Sequence, residues 1–338
     1  MSFIYNYSLK SLNTFGIDVM ARQFATFQDI ESLKNLLSQI KPEQNLLVIG
    51  GGSNMLFTKD FDGVVIKNEI KGIELINEDN SHYFVKAGAG EIWHDLVMFC
   101  VANNYQGIEN LALIPGCVGA SPMQNIGAYG VELKDVFHEL DAIEITTGNL
   151  VHFNLQECKF GYRESVFKNE LKNKFIIVSV TFKLNKLPVF NTSYGNISSV
   201  LNEKGIRDIT MKEIADAVIE IRSSKLPDPK IIGNAGSFFK NPEIGIEQFE
   251  KLRKDYPTIV GYPTELGKIK VAAGWLIENA GWKGKVFRGA YGVHKNQALV
   301  LVNYGAATGS EIFELSQNII DSVFLKFDIK LNREVNIY

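Results

Sequence analysis

Two glycine-rich runs, each in reach of a short apolar strand, restrict what this chain can fold into more than anything else in it. The first, Gly50-Gly51-Gly52-Ser53-Asn54, follows directly on a predicted strand over residues 46–49. The second, Ala112 to Gly130, is almost uncharged and carries Ser121, Gln124 and Asn125. Consecutive backbone N–H groups at such turns form concavities that bind anions. Yet neither run is a dinucleotide fingerprint of the doubly wound kind: Met55 stands where a third glycine belongs, and no Gly-Lys-Ser/Thr follows. Gly88-Ala89-Gly90, continued by Glu91-Ile92-Trp93, fails the same test. Taken singly, each run also reads as an ordinary surface loop. Two in one chain are what a large dinucleotide held by a non-Rossmann pair of domains would need.

Periodicity places these runs in an α+β chain. Ile30, Leu33, Leu36, Leu37 and Ile40 make one apolar helix face behind Asp29 as a cap, and Pro42 stops it. Val64-Val65-Ile66 predicts a strand, so helix, strand, glycine turn and strand form a small unit ending near Lys67. Residues 81–87 predict a strand, and residues 91–102 a helix with Ile92, Leu96, Phe99 and Cys100 turned inward. Thr147-Gly148-Asn149 turns a hairpin between residues 142–146 and 150–153. Residues 175–184 alternate, with Ile176, Val178, Val180, Phe182 and Leu184 on one face. Capping boxes at Thr210–Glu213 and Thr308–Glu311 open two helices, the second bearing Ile312, Leu315, Ile319, Val323 and Phe327. Residues 246–256 and 272–280 predict helices, and residues 297–302 and 331–337 strands.

Composition narrows the partners. With 338 residues and 46% hydrophobic content the chain has room for two or three cores. A net charge of -3 argues against a nucleic-acid binder that works by neutralising phosphates. Cys100, Cys117 and Cys158 show no metal-ligand spacing, and the five histidines are scattered. The N-terminal MSFIYNYSLKS lacks the layout of a signal peptide, and no apolar run reaches membrane-spanning length. A soluble protein of a reducing compartment is expected.

The densest chemistry lies in GNAGSFFKNP, Gly233 to Pro242. Pro227 and Pro229 end the helix before it. Ser237 stands on a constrained turn beside Lys240, which suits a site handling an anion or developing negative charge. Ser237 does not read as a hydrolase nucleophile, because Ala235 and Phe239 occupy the glycine positions of that elbow. Arg163, in Gly161-Tyr162-Arg163-Glu164-Ser165, suits a bidentate grip on carboxylate, or else a surface pairing with Glu164. Tyr194 reads as a turn residue, Lys225 as solvent charge, and Glu334 as part of an exposed strand face with Asn332 and Asn336.

Seven segments, in order and spanning nearly the whole chain, resemble one family: the UDP-N-acetylenolpyruvoylglucosamine reductases of bacterial cell-wall synthesis. They are NTFG (Asn13–Gly16), GGGSNMLF (Gly50–Phe57), IPGCVGASPMQNIGAYG (Ile114–Gly130), GYRESVFK (Gly161–Lys168), KLPDPKIIGNAGSFFKNP (Lys225–Pro242), AAGWLIENAG (Ala272–Gly281) and REVNIY (Arg333–Tyr338). The turn around Tyr194 looks like the longer subtype, in which a tyrosine loop closes over substrate. The resemblance implies an α+β, three-domain FAD-binding fold of the vanillyl-alcohol-oxidase-like (PCMH-type) class with a C-terminal substrate domain. Residues 1–67 and 68–226 would be the two FAD-binding subdomains, 227–328 the substrate domain, and 329–338 a strand returning to the active site.

It also implies non-covalent FAD on Gly51, Gly52, Ser53 and Asn54 and on Pro115, Gly116, Gly119 and Ser121, with Ile126 and Gly127 near the flavin. NADPH would reduce the flavin and leave, and UDP-N-acetylglucosamine enolpyruvate would then take hydride at its vinyl carbon. Arg163 and Glu334 match the pair that grips and polarises the enolpyruvyl carboxylate, and Ser237 matches the proton donor. Tyr194, Lys225 and Asn241 match residues that meet the substrate diphosphate or close over it, and Tyr129 matches a contact to the sugar nucleotide. A cytoplasmic monomer is expected, without nucleic acid, metal or membrane insertion. Two other readings remain. A flavin oxidase of the same fold would be reoxidised rapidly by air, and a non-catalytic nucleotide-sugar-binding flavoprotein would have lost Ser237, Arg163 or Glu334.

Overall fold

The computed structural model describes residues 2–264 and 266–338. The chain divides into two compact units. The first comprises Met1–Tyr7, Ala21–Gly51 and Asp62–Ser224; the second comprises Ser8–Met20, Gly52–Phe61 and Lys225–Tyr338.

Most of a four-stranded sheet lies in the first unit, in the order Ile4–Ser8, Met20–Phe27, Phe61–Asn68, Leu46–Ile49, the last two strands parallel. Helix Ile30–Leu37 packs on it through Leu33 and Leu36, both fully buried beside Phe27, Val64 and Ile66. Its start is a reciprocal cap: Ser32 N donates to Asp29 Oδ1 at 2.7 Å while the Ser32 hydroxyl reaches the Asp29 backbone. The helix stops at Leu37, short of Ile40, which still packs against the same cluster from the following turn.

The first unit also holds an antiparallel five-stranded sheet, ordered Leu150–Asn154, Phe137–Glu144, Phe175–Asn185, His82–Gly88, Ile73–Glu78. The hairpin at Thr147–Asn149 forms as expected, with Ile143 facing Leu150. The strand Phe175–Asn185 departs from its expected single apolar face. It is central in the sheet and buried on both sides, and the register with Phe137–Glu144 slips between Asp141 and Ala142, which face Ser179 and Ile177. Val178 is left as the extra residue. A bulge of this kind swaps the faces along a strand. Accordingly, Ile176 and Val178 join the cluster under helix Ile30–Leu37, whereas Ile177, Val180, Phe182 and Leu184 join the larger core. Helix Trp93–Ala102 buries Trp93, Leu96 and Cys100 in that core, but Ile92 is outside it: it is the cap residue, extended and half exposed.

The second unit is built on short strands and the α-helices Ile246–Asp255, Ala273–Asn279 and Gly309–Phe327. The last is opened by the Thr308–Glu311 capping box and buries Ile312, Leu315, Ile319, Val323 and Phe327, as their spacing requires. The expected terminal strand is largely absent. Only Asn336–Ile337 is a strand, parallel to Met55–Leu56; Arg333 makes a single bridge to Phe239, and the chain bends at Val335. The bend breaks the alternation, so Glu334 is half-buried while Asn332 and Asn336 are exposed.

Candidate functional site

In the second unit the segment after the prolines is locked into shape by Asn234. Its side-chain oxygen accepts from Gly236 N at 3.0 Å, and its amide donates to the carbonyls of Pro227 and Ile232. Phe238 and Phe239 then anchor the run in the core, both essentially inaccessible, with Phe238 edge-on to Phe15. The backbone is held from two sides. Phe238 N donates to Leu299 O at 2.8 Å and Ser237 bridges to Val300, while Glu334 N donates to Phe238 O at 2.8 Å and Lys240 N to Asn332 O at 2.9 Å. Ser237, which is exposed, and Glu334 therefore stand on adjoining backbones.

The same terminal segment meets the end of the first glycine run. Asn336 N and Nδ2 donate to Asn54 O, and Asn54 Nδ2 donates to Glu334 O at 3.4 Å. Gly52 is fixed by space: a Cβ there would fall 1.9 Å from the Leu12 carbonyl oxygen. Ser53 is half-buried beside it. Asn241 has a structural duty, because its side-chain oxygen accepts from Ala273 N at 2.9 Å at the start of helix Ala273–Asn279. What it can offer a ligand is the amide nitrogen. Lys225 is exposed at the end of helix Met211–Lys225.

The first unit assembles the other candidates. Gly51 and Gly116 approach backbone to backbone, since a Cβ on Gly51 would lie 3.0 Å from Gly116 Cα. Pro115 and Gly51 are exposed, and Gly119 packs on Ala89. Burial pushes the Cys117 thiol up, opposed by the charges of Lys71 and Lys67, each of which also pairs with a carboxylate, Glu91 and Glu69 respectively. Ser121 is buried, its hydroxyl donates to Val118 O at 2.6 Å, and its backbone N–H donates to the same carbonyl while its own carbonyl accepts from Ile126 N, so it shapes the turn.

Arg163 lies over the stretch of that loop around Ile126 and Gly127. Its Nη2 donates to Gly127 O at 2.7 Å and its Nη1 reaches Asn125 O at 3.5 Å, next to Ile126. Arg163 itself has φ 56°, a left-handed backbone rare for a side chain of its size. Tyr129 is left-handed too, and Asn110 holds its carbonyl at 2.9 Å. Burial raises the Tyr129 phenol, opposed by the Arg222 charge. The turn at Tyr194 comes down on that ring: a Cβ on Gly195 would lie 2.7 Å from Tyr129 Cδ1. Tyr194 is half exposed.

Three neighbours of this cluster escaped the sequence reading: Arg222, His94 and Leu113. Arg222 Nε donates to Leu113 O at 3.2 Å, and Leu113 N donates to His94 Nδ1 at 3.1 Å. A signal for Arg222 existed. It lies four residues after Val218, on the buried face of its helix, where a charge is out of place.

Comparison with known proteins fits both units. Residues 21–154 match a family model described as an FAD binding domain, and residues 228–338 match one described as the C-terminal domain of UDP-N-acetylenolpyruvoylglucosamine reductase. The chain is 52% identical to the UDP-N-acetylenolpyruvoylglucosamine reductase of Flavobacterium johnsoniae, over 98% of each protein. It is 47% identical to the enzyme of that name from Pseudomonas putida, over 98% of this chain and 97% of that one. Among solved structures, UDP-N-acetylenolpyruvylglucosamine reductase from Thermus caldophilus superposes with a TM-score of 0.67 at 22% identity, covering 100% of this chain and 98% of that one.

Proposed function

The chain belongs to the UDP-N-acetylenolpyruvoylglucosamine reductase family, and from that membership we propose its reaction: NADPH-dependent, FAD-mediated reduction of UDP-N-acetylglucosamine enolpyruvate to UDP-N-acetylmuramate, a step in peptidoglycan precursor synthesis. Its fold is the family's α+β FAD-binding fold, of the vanillyl-alcohol-oxidase-like class. The partition into subdomains 1–67 and 68–226, a substrate domain 227–328 and a returning segment 329–338 is part of the same proposal.

FAD fits the residues present. The bare backbone of Gly51 against Gly116 suits a diphosphate, and Gly52, Ser53 and Asn54 continue the same loop. Pro115, Gly119 and Ser121 shape the second loop, and Ile126 and Gly127 lie where Arg163 touches it. When bound, FAD supplies the two-electron relay from NADPH to the vinyl carbon of the substrate.

The chain's own residues handle the charge that this leaves. Arg163 and Glu334 grip and polarise the carboxylate, so that negative charge spreads from the adjacent carbon into its oxygens. Ser237 donates the proton to that carbon. A serine is a poor acid by the usual matching of pKa to working pH, but a transient carbanion is far more basic than any neutral-pH partner. Lys225 and the Asn241 amide meet the substrate diphosphate, and Tyr194 closes over it beside Tyr129. The observation that carries the reading is the bond from Glu334 N to Phe238 O, which keeps the proton donor and the carboxylate-polarising group on adjoining strands of backbone.

The working form is proposed to be a cytoplasmic monomer; no helix among the described residues is long and apolar enough to cross a membrane. The test is anaerobic stopped-flow spectroscopy of the yellow protein. NADPH should bleach it, and the enolpyruvyl nucleotide should restore the colour. Recovery only with air would point to an oxidase, and failure to bleach would overturn the reductase reading.

A further inference from the structure

The most unusual charge in the first unit is Arg222. It is half-buried on helix Met211–Lys225, on the same side as Ile214 and Val218. Its Nε donates to the Leu113 carbonyl, but neither Nη nitrogen bonds to a described residue. The groups it senses are the Tyr129 phenol and a second cation, Arg163, with no carboxylate among them. A guanidinium in that setting is costly unless something anionic completes it. Burial does pull the Arg222 guanidinium down, Tyr129 opposes this, and Arg163 adds to it.

The surroundings are built to keep it there. Leu113 has φ 58°, and Tyr129 and Arg163 are left-handed as well. Such conformations cost on the order of 1–3 kcal/mol each for residues with a Cβ and persist where the surroundings over-determine them. Leu113 is tied on both sides, by His94 at its N–H and by Arg222 at its carbonyl. Because His94 Nδ1 accepts, its ring proton sits on Nε2, and His94 stays neutral: burial lowers it, Asp95 opposes and the Arg222 charge reinforces.

We infer that Arg222 is a second ligand-binding guanidinium beside Arg163, and that the two receive one planar, delocalised anion with adjacent acceptor atoms. Two sources offer that chemistry: the substrate carboxylate, and the N1–C2=O edge of the flavin, which gathers negative charge on reduction. Planar forks of fixed donors suit such pairs of acceptors, and lysine does not replace them. The inference rests on the proposed reaction for its substrate arm only.

The test compares holoenzyme carrying Arg222→Met, Arg222→Lys or His94→Ala with the unaltered protein. If the carboxylate is the anion, Arg222→Met weakens binding of the enolpyruvyl nucleotide to the oxidised protein about tenfold or more, while binding of UDP-N-acetylglucosamine, which lacks the carboxylate, is unchanged. If the flavin is the anion, the reduced form loses about tenfold in stabilisation, a fall of about 30 mV in midpoint potential for a two-electron couple. Arg222→Lys should lose severalfold in whichever arm responds, and it decides the matter if Arg222→Met does not retain FAD. His94→Ala loosens Leu113 but leaves both cations, and should move neither arm. Wild-type values for Arg222→Lys in both arms, or equal effects from His94→Ala, would overturn the inference and leave Arg222 as a strut for Leu113. If the unaltered protein does not bind the enolpyruvyl nucleotide, the proposed reaction fails, and the potential alone decides the role of Arg222.

Discussion

Ser237 is exposed while the two phenylalanines after it are sealed in the core, so replacing it by alanine removes a hydroxyl without opening a cavity. Ser237→Ala should leave NADPH-driven bleaching intact and slow the substrate-driven return of colour by roughly 10²–10⁴-fold, the usual worth of a positioned acid. Equal slowing of both phases would mean that the serine shapes the site rather than supplying a proton. Glu334 allows a similarly clean change, because its hold on Phe238 runs through the backbone N–H and survives in glutamine. Glu334→Gln should slow only the second phase, by at least about tenfold, with an unchanged melting temperature, if charge on that side chain helps polarise the carboxylate. A normal second phase would remove it from the mechanism. The local segment already marked Ser237 as suited to developing negative charge, whereas nothing local singled out Glu334. Glu334 looked like an exposed strand residue, and only the bend at Val335 turns it inward.

At the scale of elements, sequence was informative wherever one rule decided the outcome. The Asp29 and Thr308 caps, the hairpin at Thr147–Asn149 and the helix of residues 309–327 follow from local chemistry and period. It failed where a distant partner intervened. The bulge at Val178 is set by pairing with Asp141 and Ala142, some three dozen residues away in sequence, and no alternation count detects it. The bulged region also carries a polar cluster that was not legible. Asp141, nearly buried, accepts from Lys86 Nζ at 2.7 Å and Ser179 Oγ at 2.8 Å, and also faces His152 Nδ1. Burial alone would raise its carboxyl, but Lys86, Ser179 and His152 together outweigh that and hold it below the usual range. A carboxyl depressed in the fold adds stability above its unfolded pKa, about 3.9, and loses it as pH falls through the folded value. Lys86→Met should therefore cost about 1 kcal/mol at neutral pH, discounted for the half-exposed lysine. The gap between variant and wild type should close as pH falls below about 4, read from urea midpoints at each pH. A gap independent of pH would assign the loss to the packing of the lysine stem.

For the whole molecule the consequential feature is connectivity. The chain passes between its two units five times, at residues 7/8, 20/21, 51/52, 61/62 and 224/225. Three of those passages fall inside strands, Ile4–Ser8, Met20–Phe27 and Phe61–Asn68, so each of these strands belongs partly to one unit and partly to the other. Units joined by a single linker commonly unfold separately. Here, loss of one unit would release the ends of strands that the other requires, and a single cooperative transition is expected. The probes are already in place. Cys100 and Cys158 lie in the first unit, fully buried, and burial pushes the Cys158 thiol up to about 12, with Glu157 adding to it; Cys100 is raised by burial and Glu109. Neither presents thiolate at neutral pH until it is exposed, so its labelling reports opening of that unit. Trp275 and Trp282 lie in the second unit, against Trp93 alone in the first, so tryptophan emission reports mainly the other half. Thiol labelling and emission should give the same urea midpoint. Two separated midpoints would mean that the five passages do not couple the units. In that case FAD should raise the midpoint of whichever unit supplies most of its binding energy, since a ligand stabilises only the fold that holds it.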